Sequence, residues 1–160
     1  PSYKPLYGFL PGILLYRFHT NGKEVLLVHP GGPFWAKKDD GAWSIPKGEF
    51  GTGEDPLTAA KRELEEETGI RADGNFIELT PVRQKSGKLV YAWAIQKDID
   101  PAAINSNSFE MEWPPRSGIK KSFPEIDRAA WFTMDEARNK IIGGQAPLIN
   151  ELEAKLNEAK

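Results

Sequence analysis

The sequence predicts a single α/β domain over residues 1–160, because segments typical of strands and of helices alternate along a chain of one-domain length. Residues 8–18 and 24–29 are apolar runs that predict two strands, and the Asn-Gly pair between them predicts a tight turn. Residues 56–68 place apolar side chains at helical spacing instead. We therefore expect two paired strands followed by an amphipathic helix.

The segments before that helix are interpreted from their composition. Pro11 and Gly12 predict a bulge or an edge position near the start of the first strand, since proline cannot donate a ladder hydrogen bond. Residues 30–42 are rich in Gly and Pro and predict a loop, which is either an ordinary surface loop or one that contacts a substrate. Residues 43–48 predict a short strand that leads into a turn.

The helix over residues 56–68 has clear end signals. Asp55 is a typical N-cap residue, and Pro56 suits the first helical position. Gly69 predicts the C-terminal end, because helices often end on a left-handed glycine. The side chains expected to face the core are Leu57, Ala60 and Leu64.

A β-hairpin is predicted from residues 75–85 and 88–96, with Ser86-Gly87 at the turn. Its expected core residues are Ile77, Leu79, Val82, Leu89, Val90, Trp93 and Ile95. Residues 98–124 contain several prolines and predict a long irregular segment. A segment of that length in a small domain is typically functional or disordered.

The C-terminal part predicts one more strand and two helices. Residues 129–133 predict a short strand, and Thr133 with Glu136 predicts a capping box for a helix through about Ile142. A Gly-Gly pair ends that helix, and Pro147 begins the last one. Its expected buried face consists of Leu148, Leu152 and Leu156.

Composition excludes several classes of function. There is no cysteine, which rules out disulfides, thiol nucleophiles and thiolate zinc sites, and two histidines leave little basis for an imidazole metal site. The net charge of -2 argues against a protein that coats nucleic acid polymers. No apolar run approaches the roughly 20 residues of a membrane span, so we expect a cytoplasmic protein without a membrane partner.

A glutamate-rich pattern carries the chemistry. From Gly48 to Ile70 the chain fits G-x5-E-x7-R-E-U-x-E-E-x-G-U, where U is a bulky aliphatic residue. Its nine specified positions are Gly48, Glu54, Arg62, Glu63, Leu64, Glu66, Glu67, Gly69 and Ile70. Helical spacing puts Glu63, Glu66 and Glu67 on one face, where their charges repel. A hard divalent cation such as Mg²⁺ would reverse that repulsion.

This pattern resembles the signature of the Nudix hydrolase family. The resemblance implies an α/β/α sandwich with a mixed central sheet, and hydrolysis of a nucleoside diphosphate linked to another moiety with Mg²⁺ or Mn²⁺. Metal ions would lower the pKa of an attacking water and neutralise charge as the P–O bond breaks. The implied partner is a nucleotide-type small molecule, and the oligomeric state stays open.

The resemblance also implies roles for individual residues. Glu66 and Glu67 are implied metal ligands, Glu63 is a ligand or the base that orients the water, and the backbone carbonyl of Lys47 is a further ligand. Arg62 is expected to hold a glutamate of the pattern, Glu66 at i+4 in the first place, and Glu54 to act from the second shell or through a water. Glu65 occupies a variable position and is expected to be solvated. Outside the pattern, the candidate metal ligand is Glu125, with Glu110 and Glu112 as alternatives.

Substrate contacts are less specific. Residues 43–48 are similar to the W-x-x-P-K-G stretch of dinucleoside polyphosphate, nucleoside triphosphate and diphosphoinositol polyphosphate hydrolases. The substrate-contact candidates are Lys47, Trp43, Lys37, Trp35 and Arg116, with Trp113 as a further aromatic. Lysine and arginine would place charge on phosphates, and tryptophan would stack on a base. For each basic residue the alternative is an ordinary solvated side chain.

Two other interpretations stay open at this stage. A Nudix-fold protein can bind a nucleotide as a sensor or regulator without hydrolysing it. The glutamates can also form a purely structural acidic helix face that is solvated and salt-bridged. The complete pattern favours the hydrolase.

Overall fold

A mixed β-sheet forms the centre of the computed structural model, which describes residues 9–20, 22–51 and 53–158. Gly8 of the predicted first strand and Asn21 of the predicted turn lie outside the described residues. The strands are β1 (Phe9–His19), β2 (Gly22–Pro30), β3 (Ile77–Glu78), β4 (Val82–Arg83), β5 (Leu89–Gln96), β6 (Ser108–Glu112), β7 (Lys120–Pro124) and β8 (Ile126–Thr133). The α-helices are α1 (Pro56–Thr68), α2 (Met134–Lys140) and α3 (Ala146–Glu158).

The main sheet has the strand order β3-β5-β1-β2-β8, and β4 also pairs with β5. β1 and β5 run parallel, with Ile13 opposite Trp93, whereas β1 and β2 are antiparallel, with Tyr16 opposite Val25. β2 and β8 are antiparallel as well. The predicted pairing of the first two strands and the mixed sheet are therefore confirmed.

Helices cover both faces of this sheet. Because side chains alternate along a strand, Ile13 and Leu15 of β1 pack on the α1 side with Leu64. Leu14 packs on the opposite side, where α2 and α3 contribute residues such as Leu148. The resulting α/β/α sandwich confirms the fold that the resemblance implies.

The signals at the ends of α1 act as expected. The Asp55 side chain accepts a hydrogen bond from the backbone N–H of Leu57 at 3.1 Å. Gly69 adopts a left-handed conformation with φ of 79°, and its N–H bonds to the carbonyl of Glu65. Ala60 and Leu64 are fully buried against the sheet, and Leu57 packs beside them. The helix is thereby fixed with its glutamate-rich face away from the core.

The C-terminal helices differ from the prediction only at their ends. Thr133 and Glu136 form the predicted capping box at the start of α2, which ends at Lys140, two residues early. α3 begins at Ala146, one residue before Pro147. Its expected core face is buried, and it consists of Leu148, Leu152 and Leu156. No helix among residues 9–20, 22–51 and 53–158 combines the length and apolar composition needed to cross a membrane.

The prediction of a bulge or edge at Pro11 and Gly12 is wrong. Both residues pair with β5 in regular parallel register. On their other side the Pro11 carbonyl accepts a hydrogen bond from Gly48 N at 3.1 Å, and Gly12 bridges to Lys47. A Cβ at Gly12 would lie 2.7 Å from the Pro46 carbonyl oxygen. The glycine therefore allows the segment before α1 to approach an interior strand.

The prediction of an irregular segment over residues 98–124 is also wrong, since these residues contain a β-hairpin. β6 and β7 pair from Ser108–Pro124 to Glu112–Lys120, and the rings of Phe109 and Phe123 pack at 6.0 Å. The prolines at the centre of the segment fall in the turn between these strands, which is why they did not rule out pairing.

Three further elements differ from the prediction in their bounds or type. β8 begins at Ile126, three residues before the predicted strand. Residues 43–48 form isolated bridges to β1, β2 and Ile141 rather than a strand. The first arm of the predicted hairpin splits into β3 and β4, while its turn at Ser86-Gly87 and its pairing with β5 are confirmed.

Substituting Gly12→Ala should destabilise the protein, because the new methyl group would overlap the backbone at Pro46. We expect the free energy of unfolding to fall by about 1–3 kcal/mol, the usual effect of overpacking. Urea denaturation followed by circular dichroism measures it. Gly143→Ala is the matched control, since a Cβ there meets nothing within 4 Å. Equal stabilities of the two variants would contradict the prediction.

Candidate active site

Arg62 lies at the centre of the glutamate-rich face. Its guanidinium donates to Glu54 Oε2 from Nε at 2.7 Å and to Glu54 Oε1 from Nη2 at 2.9 Å. Nη1 contacts both Glu63 Oε1 and Glu66 Oε2 at 2.9 Å. Nη2 also donates to the backbone carbonyl of Glu49 at 2.8 Å. The expected i+4 pair with Glu66 is therefore one part of a larger set of contacts.

This arrangement opposes the repulsion between the carboxylates. The hydrogen bonds that Arg62 donates to Glu54, followed by those to Glu66 and Glu63, raise the pKa of Arg62 above its already high usual value. The Arg62 guanidinium in turn lowers the pKa of Glu54. Arg62 therefore stays charged and holds three acidic side chains of the pattern in place.

Glu67 has different surroundings. It is largely buried, and its Oε2 accepts a hydrogen bond from the backbone N–H of Lys47 at 3.2 Å. Burial, reinforced by the nearby charges of Glu63 and Glu125, raises the pKa of Glu67 to about 8. Burial also raises the pKa of Glu63 and lowers that of the Lys47 ammonium. The nearby Lys47 charge lowers the pKa of Glu67, but burial and the acidic neighbours outweigh this effect.

Gly48 explains how Glu63 fits beside the turn. A Cβ at position 48 would lie 1.9 Å from Glu63 Oε2, far inside contact distance. The first glycine of the pattern is thus required by the Glu63 carboxylate, which lies 15 positions later in the sequence, and not by a left-handed backbone conformation. It lets the turn that carries Lys47 pack directly against α1.

A cavity of about 210 Å³ opens beside Glu67. Its polar lining includes Lys47, Glu67 and Glu125, and its apolar lining includes the Trp35 indole. The full lining is Val28, Pro30, Trp35, Ala42, Ser44, Ile45, Lys47, Glu67, Gln84, Glu125, Ile126 and Ile142. The structure thus brings together four candidates that lie up to 90 positions apart: Trp35, Lys47, Glu67 and Glu125.

Other candidates do not line this cavity. Trp43 is 4 % exposed, because its ring packs against His29 and Phe132 while its Nε1 donates to Asp39 Oδ1 at 2.8 Å. The structure thus packs Trp43 in the core, outside the lining of this cavity, and its contact with substrate stays a prediction. Lys37 and Arg116 are exposed on their loops, outside the described lining of the cavity.

The alternatives on the long segment also lie elsewhere. Glu110 and Glu112 are exposed on β6, and Glu112 Oε1 accepts a hydrogen bond from the backbone N–H of Arg116 at 2.6 Å. The Trp113 ring packs edge-on against Phe34 at 5.7 Å. Of the three acidic candidates outside the pattern, Glu125 is the one beside Glu67.

Comparison with known proteins agrees with this geometry. The model of the NUDIX domain matches residues 9–152, which is most of the chain. The chain belongs to the Nudix family. It is 47 % identical over 119 residues to Nudix hydrolase 7 of Arabidopsis thaliana, across 74 % of this chain and 37 % of that protein. The chain therefore spans well under half the length of that relative.

Solved structures share the Nudix fold. An Ap4A hydrolase of C. elegans has a TM-score of 0.66 at 20 % identity, with 93 % of this chain and 98 % of that chain covered. The NUDIX domain of Shewanella oneidensis NrtR, complexed with ADP ribose, has a TM-score of 0.62 at 16 % identity, with 92 % and 87 % covered. At these identities the likeness establishes the fold alone.

The donor set of the Nudix pattern fits a hard divalent cation. Carboxylate and backbone carbonyl oxygens are the ligands that Mg²⁺ and Mn²⁺ prefer. Glu67 is a partly buried carboxylate whose pKa is raised further by the charges of Glu63 and Glu125, an electrostatic surrounding that a cation would relieve. In the part of the chain that the structure describes, no three acidic or imidazole groups already converge as a ligand set. Arg62 engages Glu63 and Glu66 instead.

Sequence reasoning missed Gln84 and Gln145. Gln145 is fully buried and hydrogen-bonds to Gln84, which lines the cavity. Neither glutamine belongs to a motif. The one nearby residue with a recognisable sequence pattern is Gly144, and that pattern was interpreted only as the end of the preceding helix.

Substituting Arg62→Lys should reduce activity while the protein stays folded. A lysine keeps the positive charge but cannot donate to three carboxylates and the Glu49 carbonyl at once. We expect kcat to fall by about 10–100-fold, as is common when ligand-supporting contacts are lost. The comparison is with Lys61→Arg on the same helix, where the side chain pairs with Asp73. An Arg62→Lys enzyme with wild-type kcat would show that these contacts do not matter.

The raised pKa of Glu67 predicts a pH-dependent stability. A folded-state pKa of about 8, against the usual 4.5, means that the folded protein retains a proton that the unfolded chain has lost. The contribution of Glu67 to stability is complete below about pH 4.5 and is lost as pH rises through about 8. Urea denaturation should therefore show wild type losing stability relative to Glu67→Gln between about pH 5 and pH 9. A difference between the two proteins that does not change with pH would contradict the shift.

Proposed function

We propose that this chain is a Mg²⁺- or Mn²⁺-dependent Nudix pyrophosphohydrolase that cleaves a nucleoside diphosphate linked to another moiety. The observation that carries the proposal is the partly buried Glu67 carboxylate, which lies at a cavity shared with Lys47 and Glu125. Two of the carboxylates that pair with Arg62, Glu63 and Glu66, lie on the same helix as Glu67. A buried acid with a raised pKa in a cavity is a typical feature of active sites.

Each charged residue at a specified position of the Nudix pattern has a role in this proposal. Glu66, Glu67, Glu63 and the Lys47 carbonyl would hold the metal, with Glu125 completing the set across the cavity. When bound, the metal would supply positive charge to the phosphate oxygens and lower the pKa of an attacking water. Glu63 is alternatively the base that orients this water. Arg62 is a positioning residue, because its hydrogen bonds set the orientation of Glu63 and Glu66, and Glu54 supports Arg62 from the other side.

The proposed substrates are nucleoside triphosphates or dinucleoside polyphosphates, with diphosphoinositol polyphosphates as the alternative. The Lys47 ammonium at the cavity would contact a phosphate, and the Trp35 indole would stack on a base. The names of the structural neighbours mention Ap4A and ADP ribose, both of which join a nucleoside to a pyrophosphate linkage. Lys37 and Arg116 stay predictions as contacts to the outer part of a longer polyphosphate. The single domain over residues 1–160 and the cytoplasmic location also stay predictions.

A nucleotide sensor without catalysis is the competing proposal. The complete set of glutamates favours the hydrolase, because binding alone requires neither three carboxylates on one face nor an arginine that orients them. The two proposals differ in a direct test. A sensor would bind nucleotides without turnover at any divalent metal, whereas the hydrolase would release products in a metal-dependent reaction.

Substituting Glu66→Gln or Glu67→Gln should abolish metal-dependent hydrolysis. Each change removes one negative charge at a proposed ligand with almost no change in volume. We expect kcat to fall by on the order of a hundredfold or more with the fold unchanged. The assay is product release from nucleoside triphosphates, dinucleoside polyphosphates, sugar nucleotides and diphosphoinositols at varied Mg²⁺ and Mn²⁺.

The matched control is Glu65→Gln. This glutamate lies on the same helix between the proposed ligands, but it is exposed and pairs with Arg71. The substitution should leave kcat unchanged. A wild-type kcat in both Glu66→Gln and Glu67→Gln would contradict the proposed mechanism. An equal loss of kcat in Glu65→Gln, Glu66→Gln and Glu67→Gln would contradict it as well.

A further inference from the structure

The cavity also has a polar lining residue outside the Nudix pattern, and a second buried amide supports it. Gln84 follows β4 directly and lines the cavity together with Lys47 and Glu67. Its side chain hydrogen-bonds to Gln145, which lies just before α3 and is fully buried. Neither glutamine takes part in the proposed metal chemistry.

The orientation of the Gln145 amide is determined by its backbone partner. The N–H of Ile45 donates to Gln145 Oε1 at 3.1 Å, and a backbone N–H can only donate. Gln145 Nε2 therefore faces the other way, where it contacts Ser44 Oγ at 3.0 Å and Gln84 Oε1 at 2.9 Å. The Ser44 hydroxyl donates to the Ile45 carbonyl at 2.7 Å, so its oxygen is free to accept.

The same logic assigns the amide of Gln84. Because Gln145 Nε2 donates to it, Gln84 must offer its oxygen at that contact. Among the residues that the structure describes, the donor end of Gln84, Nε2, makes no hydrogen bond, so it can donate to a ligand in the cavity. A flip of the Gln84 amide would place two donors face to face, so the protein presents a donor here and not an acceptor.

Close backbone packing keeps Gln84 in position. A Cβ at Gly144 would lie 2.9 Å from the Arg83 carbonyl oxygen and 3.0 Å from the Gln84 Cα. The glycine therefore lets the turn before α3 pack directly on the end of β4. This contact and the hydrogen bond from Gln145 both restrict Gln84, and preorganised groups of this kind lose little entropy on binding.

We propose that Gln84 is a specificity-determining residue that donates a hydrogen bond from Nε2 to an acceptor on the nucleobase of the substrate. The inference rests on the proposed function. Apart from the polar residues already assigned, the cavity lining is apolar and includes Trp35, Ile45 and Ile126. Such walls suit the faces of a flat heterocycle and do not suit a phosphate, whereas the base edge needs a polar partner. Gln145 is a positioning residue, because it sets which end of the Gln84 amide meets the base.

The test uses ligands that cannot be hydrolysed. The α,β-methylene diphosphates of adenosine and of uridine carry a base, and methylenediphosphonate carries the phosphate-like part alone. Their dissociation constants are measured calorimetrically with Mg²⁺ for wild type, Gln84→Leu and Gln84→Glu. Gln84→Leu removes the donor, and Gln84→Glu keeps an oxygen for Gln145 but presents an acceptor to the base. Gln96→Leu and Gln96→Glu are matched controls, since Gln96 is exposed at the end of β5 outside the cavity.

We expect Gln84→Leu to weaken binding of at least one of the two nucleotides about tenfold, the usual effect of one lost hydrogen bond. The loss should differ between adenine and uracil, because their acceptor atoms lie at different positions. Methylenediphosphonate binding should change less than about twofold. For Gln84→Glu, the ratio of nucleotide affinity to methylenediphosphonate affinity is compared with the wild-type ratio. We expect this ratio to fall for the same base at least as much as it does in Gln84→Leu.

Three results would overturn the inference. Unchanged nucleotide binding in Gln84→Leu would show that Gln84 makes no contact that contributes to nucleotide affinity. An equal loss for both nucleotides and for methylenediphosphonate would assign the residue to phosphate, and an equal loss for the two nucleotides alone would assign it to the ribose. Binding is measured independently of turnover. A base-dependent loss in a protein that hydrolyses nothing would therefore support this inference while contradicting the proposed function.

Discussion

The hydrogen bonds of Arg62 are the interaction on which the candidate site depends. Helix α1 carries Glu63 and Glu66 on one face, where their like charges repel. The guanidinium contacts both of them and Glu54, and it also contacts the backbone of the turn before the helix through the Glu49 carbonyl. Arg62 therefore reduces the repulsion and connects the helix to the turn that carries Lys47. An ammonium group could supply the charge but not this number of directed hydrogen bonds.

Two glycines make the rest of the arrangement possible. Gly12 lets residues 46–48 approach β1, and Gly48 lets the same turn approach Glu63 on α1. The turn is therefore packed between the central sheet and the helix, with little room to move on either side. Glu67 is buried next to this turn and bonds to the Lys47 N–H. The high pKa of Glu67 is thus a consequence of the packing that positions the turn, since burial is its largest cause.

Two kinds of side chain, which come from different parts of the chain, line the cavity. Lys47, Glu67 and Glu125 supply charge, while Trp35 and Gln84 line the same space with an aromatic ring and an amide. The charged residues come mainly from the Nudix pattern and its flanks. Gln84 and its partner Gln145 come from a strand end and a helix start that the chemistry does not require. Under the proposed function, this division explains why the pattern alone does not identify the substrate.

By itself, the sequence determined what depends on local spacing. The ends of α1, the capping box at Thr133 and the face that carries Glu63, Glu66 and Glu67 all follow from residue types at short separations, and the pattern identified the family. The tertiary structure decided what depends on distant contacts. It buried Trp43 in the core, paired β6 with β7, and placed Gln84 and Glu125 at one cavity although 41 positions separate them. Those outcomes follow from packing between remote segments, and neither propensity nor motif spacing reports which remote segments will meet.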